Sequence, residues 1–126
     1  MPNGDDGTVD VINPKTYRVT ARYRTGESPH HVTPAWDLRR LYVDNTASGT
    51  LTVIDPRSGR PVRTIALADS YNLYFTPDGR EDVVVAERER RLDFPARRNF
   101  RMRASDPSRA PGLTTSTSRV TGAHYW

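Results

Sequence analysis

Small or polar residues alternate with aliphatic ones along Gly7-Thr8-Val9-Asp10-Val11-Ile12-Asn13-Pro14, and the alternation returns as Gly49-Thr50-Leu51-Thr52-Val53-Ile54-Asp55-Pro56. A period of two marks a strand with one buried face. Proline cannot donate to a ladder, so each run stops at its Asn-Pro or Asp-Pro and turns. The match continues: Thr16 and Arg18 correspond to Ser58 and Arg60, and a second strand follows at 18–24 in one copy and 61–67 in the other. Short apolar runs predict further strands at 31–33, 41–43, 72–75 and 83–85. Thr76-Pro77-Asp78-Gly79 supplies the proline and glycine of a tight turn between the last two. Nowhere do apolar residues recur at the three-and-four spacing of a helix.

A period of about 42 residues built from four short strands is the range of propeller blades. The predicted units are 7–48, 49–90 and a third, damaged one at 91–104. There Leu92-Asp93-Phe94 falls on Val9-Asp10-Val11, and Phe100, Met102 and Ala104 fall on Tyr17, Val19 and Ala21. Residues 1–6 read as a polar lead and 105–126 as an irregular or disordered Ser/Thr-rich tail. The fold class expected is all-β: a partial β-propeller of two to three four-stranded antiparallel blades, open rather than closed into a ring. Each end blade then presents an uncovered flank through which chains can self-associate. Codons can be chosen for residues 113–122 that in another frame give Asp-His-Val-Asp-Phe-Thr-Gly-Asp-Gly, which aligns with the region of His31. The tail therefore reads as the frameshifted end of a longer propeller.

Three separated segments carry a family resemblance. Leu41-Tyr42-Val43-Asp44-Asn45, Ser48-Gly49-Thr50-Leu51-Thr52-Val53-Ile54-Asp55 and Thr76-Pro77-Asp78-Gly79 resemble, in order, the YVTN, SGTVSVID and SPDG segments of the YVTN-type (YncE-like) β-propeller repeat. The resemblance covers most of residues 7–104. It implies a blade of a ring of about seven and a binding role, and related rings include lactonases and haem-binding nitrite reductases. No catalytic motif common to these is there to carry over.

Composition narrows the function. Ten prolines and eight glycines in 126 residues favour turns, and the absence of cysteine removes disulfides and thiolate metal sites. The net charge of +4 comes almost wholly from arginine, Lys15 being the only lysine, and coding bias accounts for that more simply than a nucleic-acid partner. The start is polar and acidic, with no apolar run for a secretory signal or a membrane span, so the chain as it stands is expected in the cytoplasm, although a parent protein could be exported.

The candidate ligand contacts are His30 and His31, which enter an innermost strand after Pro29, and Asp44 and Asn45, on a loop expected at the same rim. Two histidines fall short of a metal site, and the second copy has Tyr71 and Asn72 in their place, so no metal, cofactor or catalytic residue is expected. Arg97, Arg98, Arg101 and Arg103, with Phe100 among them, form a candidate nucleic-acid strip. Strand alternation explains that spacing equally, with Phe100 and Met102 on one face and Arg101 and Arg103 on the other. Glu87-Arg88-Glu89-Arg90-Arg91 reads as a solvated turn, and Trp36 as a cover over blade surface. The expected function is a non-enzymatic repeat module that binds an unidentified protein or small molecule. The competing reading is the remnant of a propeller enzyme or cofactor-binding propeller, lactonase-like or haem-binding.

Overall fold

The computed structural model describes residues 1–96 and 100–106, and every regular element among them is a β-strand. In chain order these are β1 Pro2–Asn3, β2 Thr8–Ile12, β3 Val19–Arg24, β4 Pro29–Pro34, β5 Leu41–Asn45, β6 Thr50–Ile54, β7 Pro61–Ala66, β8 Ser70–Phe75, β9 Asp82–Ala86, β10 Arg91–Pro95 and β11 Met102–Asp106. They form three antiparallel meanders: sheet I (β1-β2-β3), sheet II (β4-β5-β6-β7) and sheet III (β8-β9-β10-β11). None of the three closes on itself among the described residues.

The period read from the sequence is present, but the sheets are out of phase with it by two strands. Of the unit 7–48, β2 and β3 lie in sheet I while β4 and β5 join β6 and β7 in sheet II. The segment 91–104, read as the start of a damaged unit, supplies the outer strands that complete sheet III. A repeat can be cut at any strand, and only pairing says where a sheet ends: consecutive strands fail to pair at β3–β4 and β7–β8. The polar lead also contributes a strand, since Pro2 pairs with Val9 and Asn3 with Thr8. Asn3 Nδ2 donates to Thr8 Oγ1 at 3.1 Å just as Asn45 Nδ2 donates to Thr50 Oγ1 at 3.2 Å, so Asn3 is the first copy of Asn45.

Sheet II lies between the other two. Leu41, Val43, Ile54 and Val32 pack with Val9 and Tyr23 of sheet I. On the opposite face Leu51, Tyr42 and Ile65 pack with Leu73, Val84, Phe75 and Phe100 of sheet III. Alternate residues of β5 and β6 thus enter different seams, which is why these strands are almost uniformly buried, whereas the outer strands β3 and β7 are largely exposed. Complete burial of a side chain such as Leu51 or Val43 contributes about 1.5–3 kcal/mol.

Turn geometry repeats more faithfully than sequence. The residues with positive φ fall into equivalent sets: Gly7, Gly49 and Arg90; Tyr17, Gly59 and Phe100; Ser28 and Asp69; Leu38 and Gly79. Within the second set the N–H donates to the carbonyl four residues back at 2.8 Å in all three turns. Phe100 therefore sits in a turn, not in a strand, and is 3% exposed, whereas Met102, at the start of β11, is 45% exposed. The two do not share a strand face as the alternation predicted.

Candidate functional site

The seam between sheets II and III has two ends, and the histidines occupy the end where β4 and β8 begin. Ser28, at φ 51, turns the chain into β4, and Asp69, at φ 52, does the same for β8. Pro29 is buried, His30 is exposed and His31 is half-buried. The His30 Nε2 lies 3.2 Å from Ser28 Oγ. Tyr71 on β8 approaches both imidazoles, its ring centroid 5.4 Å from His30 and 5.3 Å from His31, the latter edge-on. Three rings from two adjoining inner strands thus share one patch. Burial, with a smaller contribution from His30, lowers the pKa of His31, whose Nε2 is enclosed without a hydrogen-bond partner among the described residues.

Asp44 and Asn45 reach the same end of the seam, but as the last residues of β5 rather than on a loop, and both are fully buried. Asp-Asn is ordinarily turn chemistry; here the neighbouring sheets close over it. Asp44 Oδ1 accepts a short hydrogen bond from Ser70 Oγ of sheet III, and Thr46 Oγ1 donates to Ser70 O at 3.2 Å. Burial pushes the Asp44 carboxyl up to about 6, against the pull of Ser70. Asn45 points the other way, its Nδ2 donating to Thr50 Oγ1 and Thr52 Oγ1. The pair therefore braces the seams beneath the rings, and the members that keep exposed surface are His30, His31 and Tyr71. The sequence aligned Tyr71 with His30 as its copy, and that alignment was the available signal that the two would stand side by side. Ser70 left no such signal.

Of the arginine strip, Arg97 and Arg98 lie outside the described residues. Arg101 and Arg103 are exposed, but Phe100 is packed against Tyr42 and so is no platform for a base. Arg88 pairs with Asp69 at 3.1 Å and Arg91 with Asp93 at 2.7 Å, which ties two arginines of the charged turn to sheet III. Among the described residues no group of three or more His, Asp or Glu side chains converges as a metal site. No helix among them is long and apolar enough to cross a membrane.

The profile of the family described as YNCE-like beta-propeller matches residues 1–114. No curated protein matches the sequence. Among solved structures, Kuenenia stuttgartiensis hydrazine synthase is similar with a TM-score of 0.68 and 21% identity, over 82% of this chain and 30% of that one. A second, the dihydro-heme d1 dehydrogenase NirN in complex with DHE, is similar with a TM-score of 0.62 and 19% identity, over 81% of this chain and 22% of that one. At such identities the likeness is one of fold, and the chain spans less than a third of either protein's length.

Proposed function

The chain belongs to the YNCE-like β-propeller family, and from that premise we propose that it is a non-enzymatic binding module whose ligand, a small molecule or a protein segment, docks where the inner strands of two blades begin. One observation carries this reading: His30, His31 and Tyr71 converge from β4 and β8 on a common patch. Imidazole and phenol edges donate and accept hydrogen bonds while their faces stack, so the patch suits a flat ligand with polar substituents. The hydroxyl beside an imidazole here, Ser28 Oγ at 3.2 Å from His30 Nε2, is joined by no carboxylate that orients the ring and by no metal-ligand set among the described residues, which favours binding over chemistry.

A second reading, a cofactor-binding or enzymatic propeller, draws on the exposed His30 imidazole and on the likeness in fold to NirN, a protein named as a complex with DHE. A haem group would be held through the His30 imidazole, since His31 Nε2 is enclosed. Titration of the full chain with haemin separates the two. Stoichiometric binding with a shifted Soret band that His30→Ala abolishes supports the cofactor reading. Haemin silence, with flat aromatic carboxylates shifting the His30 and His31 ring resonances, supports the binding module; if neither probe perturbs those rings, the patch is not a site.

A further inference from the structure

At the other end of the same seam, away from the histidines, a cleft of about 400 Å³ opens between the turn after β4 and the β8–β9 hairpin. Trp36, Tyr42 and Phe75 line it together with Asp37, Arg40 and Asp82. Asp82 is 1% exposed and so lies at its base, whereas Asp37 and Arg40 are exposed at its mouth.

The aromatic residues are held in place from behind. The Trp36 Nε1 donates to Pro77 O at 3.1 Å, which draws the indole across to the turn of the neighbouring sheet. Gly79, at φ 64, leaves room for it, because a Cβ there would stand 2.4 Å from Trp36 Cδ2. Tyr42 is set against Phe75 at 6.2 Å between centroids and is backed edge-on by Phe100 at 5.2 Å. The cleft is therefore shaped before a ligand arrives, which lowers the ordering cost of binding.

Its lining carries one more carboxylate than guanidinium, with Arg63 acting on Tyr42 from outside it. Two carboxylates face one guanidinium, and Arg40 Nη1 is bonded to Arg39 O at 2.7 Å. The Tyr42 phenol registers the balance: burial raises its pKa first, Asp82 and Asp37 raise it further, and Arg63 and Arg40 pull against them. Aromatic faces carry negative charge density, and a weakly hydrated cation gains more from them, and loses less on leaving water, than a compact ammonium does.

We propose that this cleft binds an organic cation of the quaternary-ammonium class, sandwiched by Trp36, Tyr42 and Phe75, with the exposed Asp37 as its counter-charge and Asp82 acting from beneath at longer range. The site is separate from the histidine patch and stands whether or not that patch binds anything.

The test titrates the full chain with choline and with its neutral isostere 3,3-dimethyl-1-butanol. A Trp126→Phe background makes Trp36 the sole indole, so fluorescence reports the cleft. Choline is expected to quench Trp36 saturably, with the isostere weaker by about tenfold, the size of one cation–π contact. Asp37→Asn, at an exposed position, weakens choline alone, and Trp36→Ala removes binding, followed then by ligand NMR. Equal binding of choline and the isostere overturns the proposal, as does an absence of saturable binding at concentrations on the order of 10 mM, where a useful cage is already occupied.

Discussion

The ring of Phe100 meets that of Tyr42 edge-on across the seam between sheets III and II, their centroids 5.2 Å apart. Phe100 does this from a left-handed turn, at φ 54, where its equivalents are Gly59 and Tyr17. The three residents differ with what lies beside them. Gly59 carries no side chain, and Val11 of sheet I comes within 3.0 Å of where its Cβ would stand. Tyr17 belongs to the first sheet and is 85% exposed. One turn thus serves as wedge, close contact or free surface according to the neighbour.

Phe100 combines a strained backbone with a buried ring, and this sets an unusual order of substitutions. Removing the ring costs about 3–5 kcal/mol. The left-handed conformation costs a side-chain-bearing residue about 1–2 kcal/mol, and glycine escapes that cost. Phe100→Gly is therefore expected to be less destabilising than Phe100→Ala, the reverse of the usual order in strands and helices. Urea unfolding midpoints of the two variants decide it.

Leu38 gives the converse case. It holds φ 58 where its equivalent is Gly79, yet it is 72% exposed, so its side chain contributes little in return. Leu38→Gly keeps the Leu38 N–H to Ala35 O bond of 2.9 Å and is expected to stabilise the fold by about 1 kcal/mol. A rise in Tm that Leu38→Ala does not reproduce is the confirming result; a fall in Tm for the glycine variant counts against it.

Such positions explain which parts of this fold were legible in the sequence. The strands at 7–14 and 49–56 could be read because their alternation is local and proline ends them. The sheet boundaries could not, because pairing of β5 with β6 but not of β3 with β4 is decided by strands distant in the chain. Leu38, Arg90 and Phe100 hide the left-handed turns that glycine announces at their equivalents. The position of His30 and His31 at the start of a strand is legible from Pro29, but Asp44 and Asn45 look like loop in the sequence, since their burial depends on two neighbouring sheets. Trp36 was read as a cover for blade surface, and its hydrogen bond to Pro77 shows which surface that is. Asp82 and Phe75 gave no warning that they would meet it.

The Trp36–Gly79 contact can be tested without any ligand. Gly79→Ala would put a methyl 2.4–2.8 Å from three indole carbons and place alanine at φ 64. The indole is then expected to swing outward and lose its bond to Pro77 O, giving red-shifted fluorescence and a destabilisation of about 1–2 kcal/mol. An unchanged emission maximum in the Trp126→Phe background would show that the indole does not rest on this glycine.

Asp44 makes stability depend on pH in a direction that ordinary carboxylates oppose. Burial raises its carboxyl from 3.8 to about 6, so the fold favours the protonated acid. The stability it contributes is complete below about pH 4 and is lost as pH rises through 6, up to about 3 kcal/mol for a shift of this size. His31 works the other way: its lowered pKa means that the fold favours neutral imidazole, and its contribution is lost as pH falls through the ordinary histidine range. Asp10, lowered by its bond to Arg22, and Asp78, lowered by its bond to Thr76, also lose stability on acidification, at lower pH. All three are common to the wild type and Asp44→Asn, so the difference between the two isolates Asp44. Asparagine retains an oxygen for Ser70 and removes the charge. Asp44→Asn is therefore expected to match the wild type near pH 4 and to exceed it in urea midpoint at pH 7.5. Parallel stability curves across that window would mean that Asp44 titrates as an ordinary carboxylate and that its burial costs the ionised form nothing.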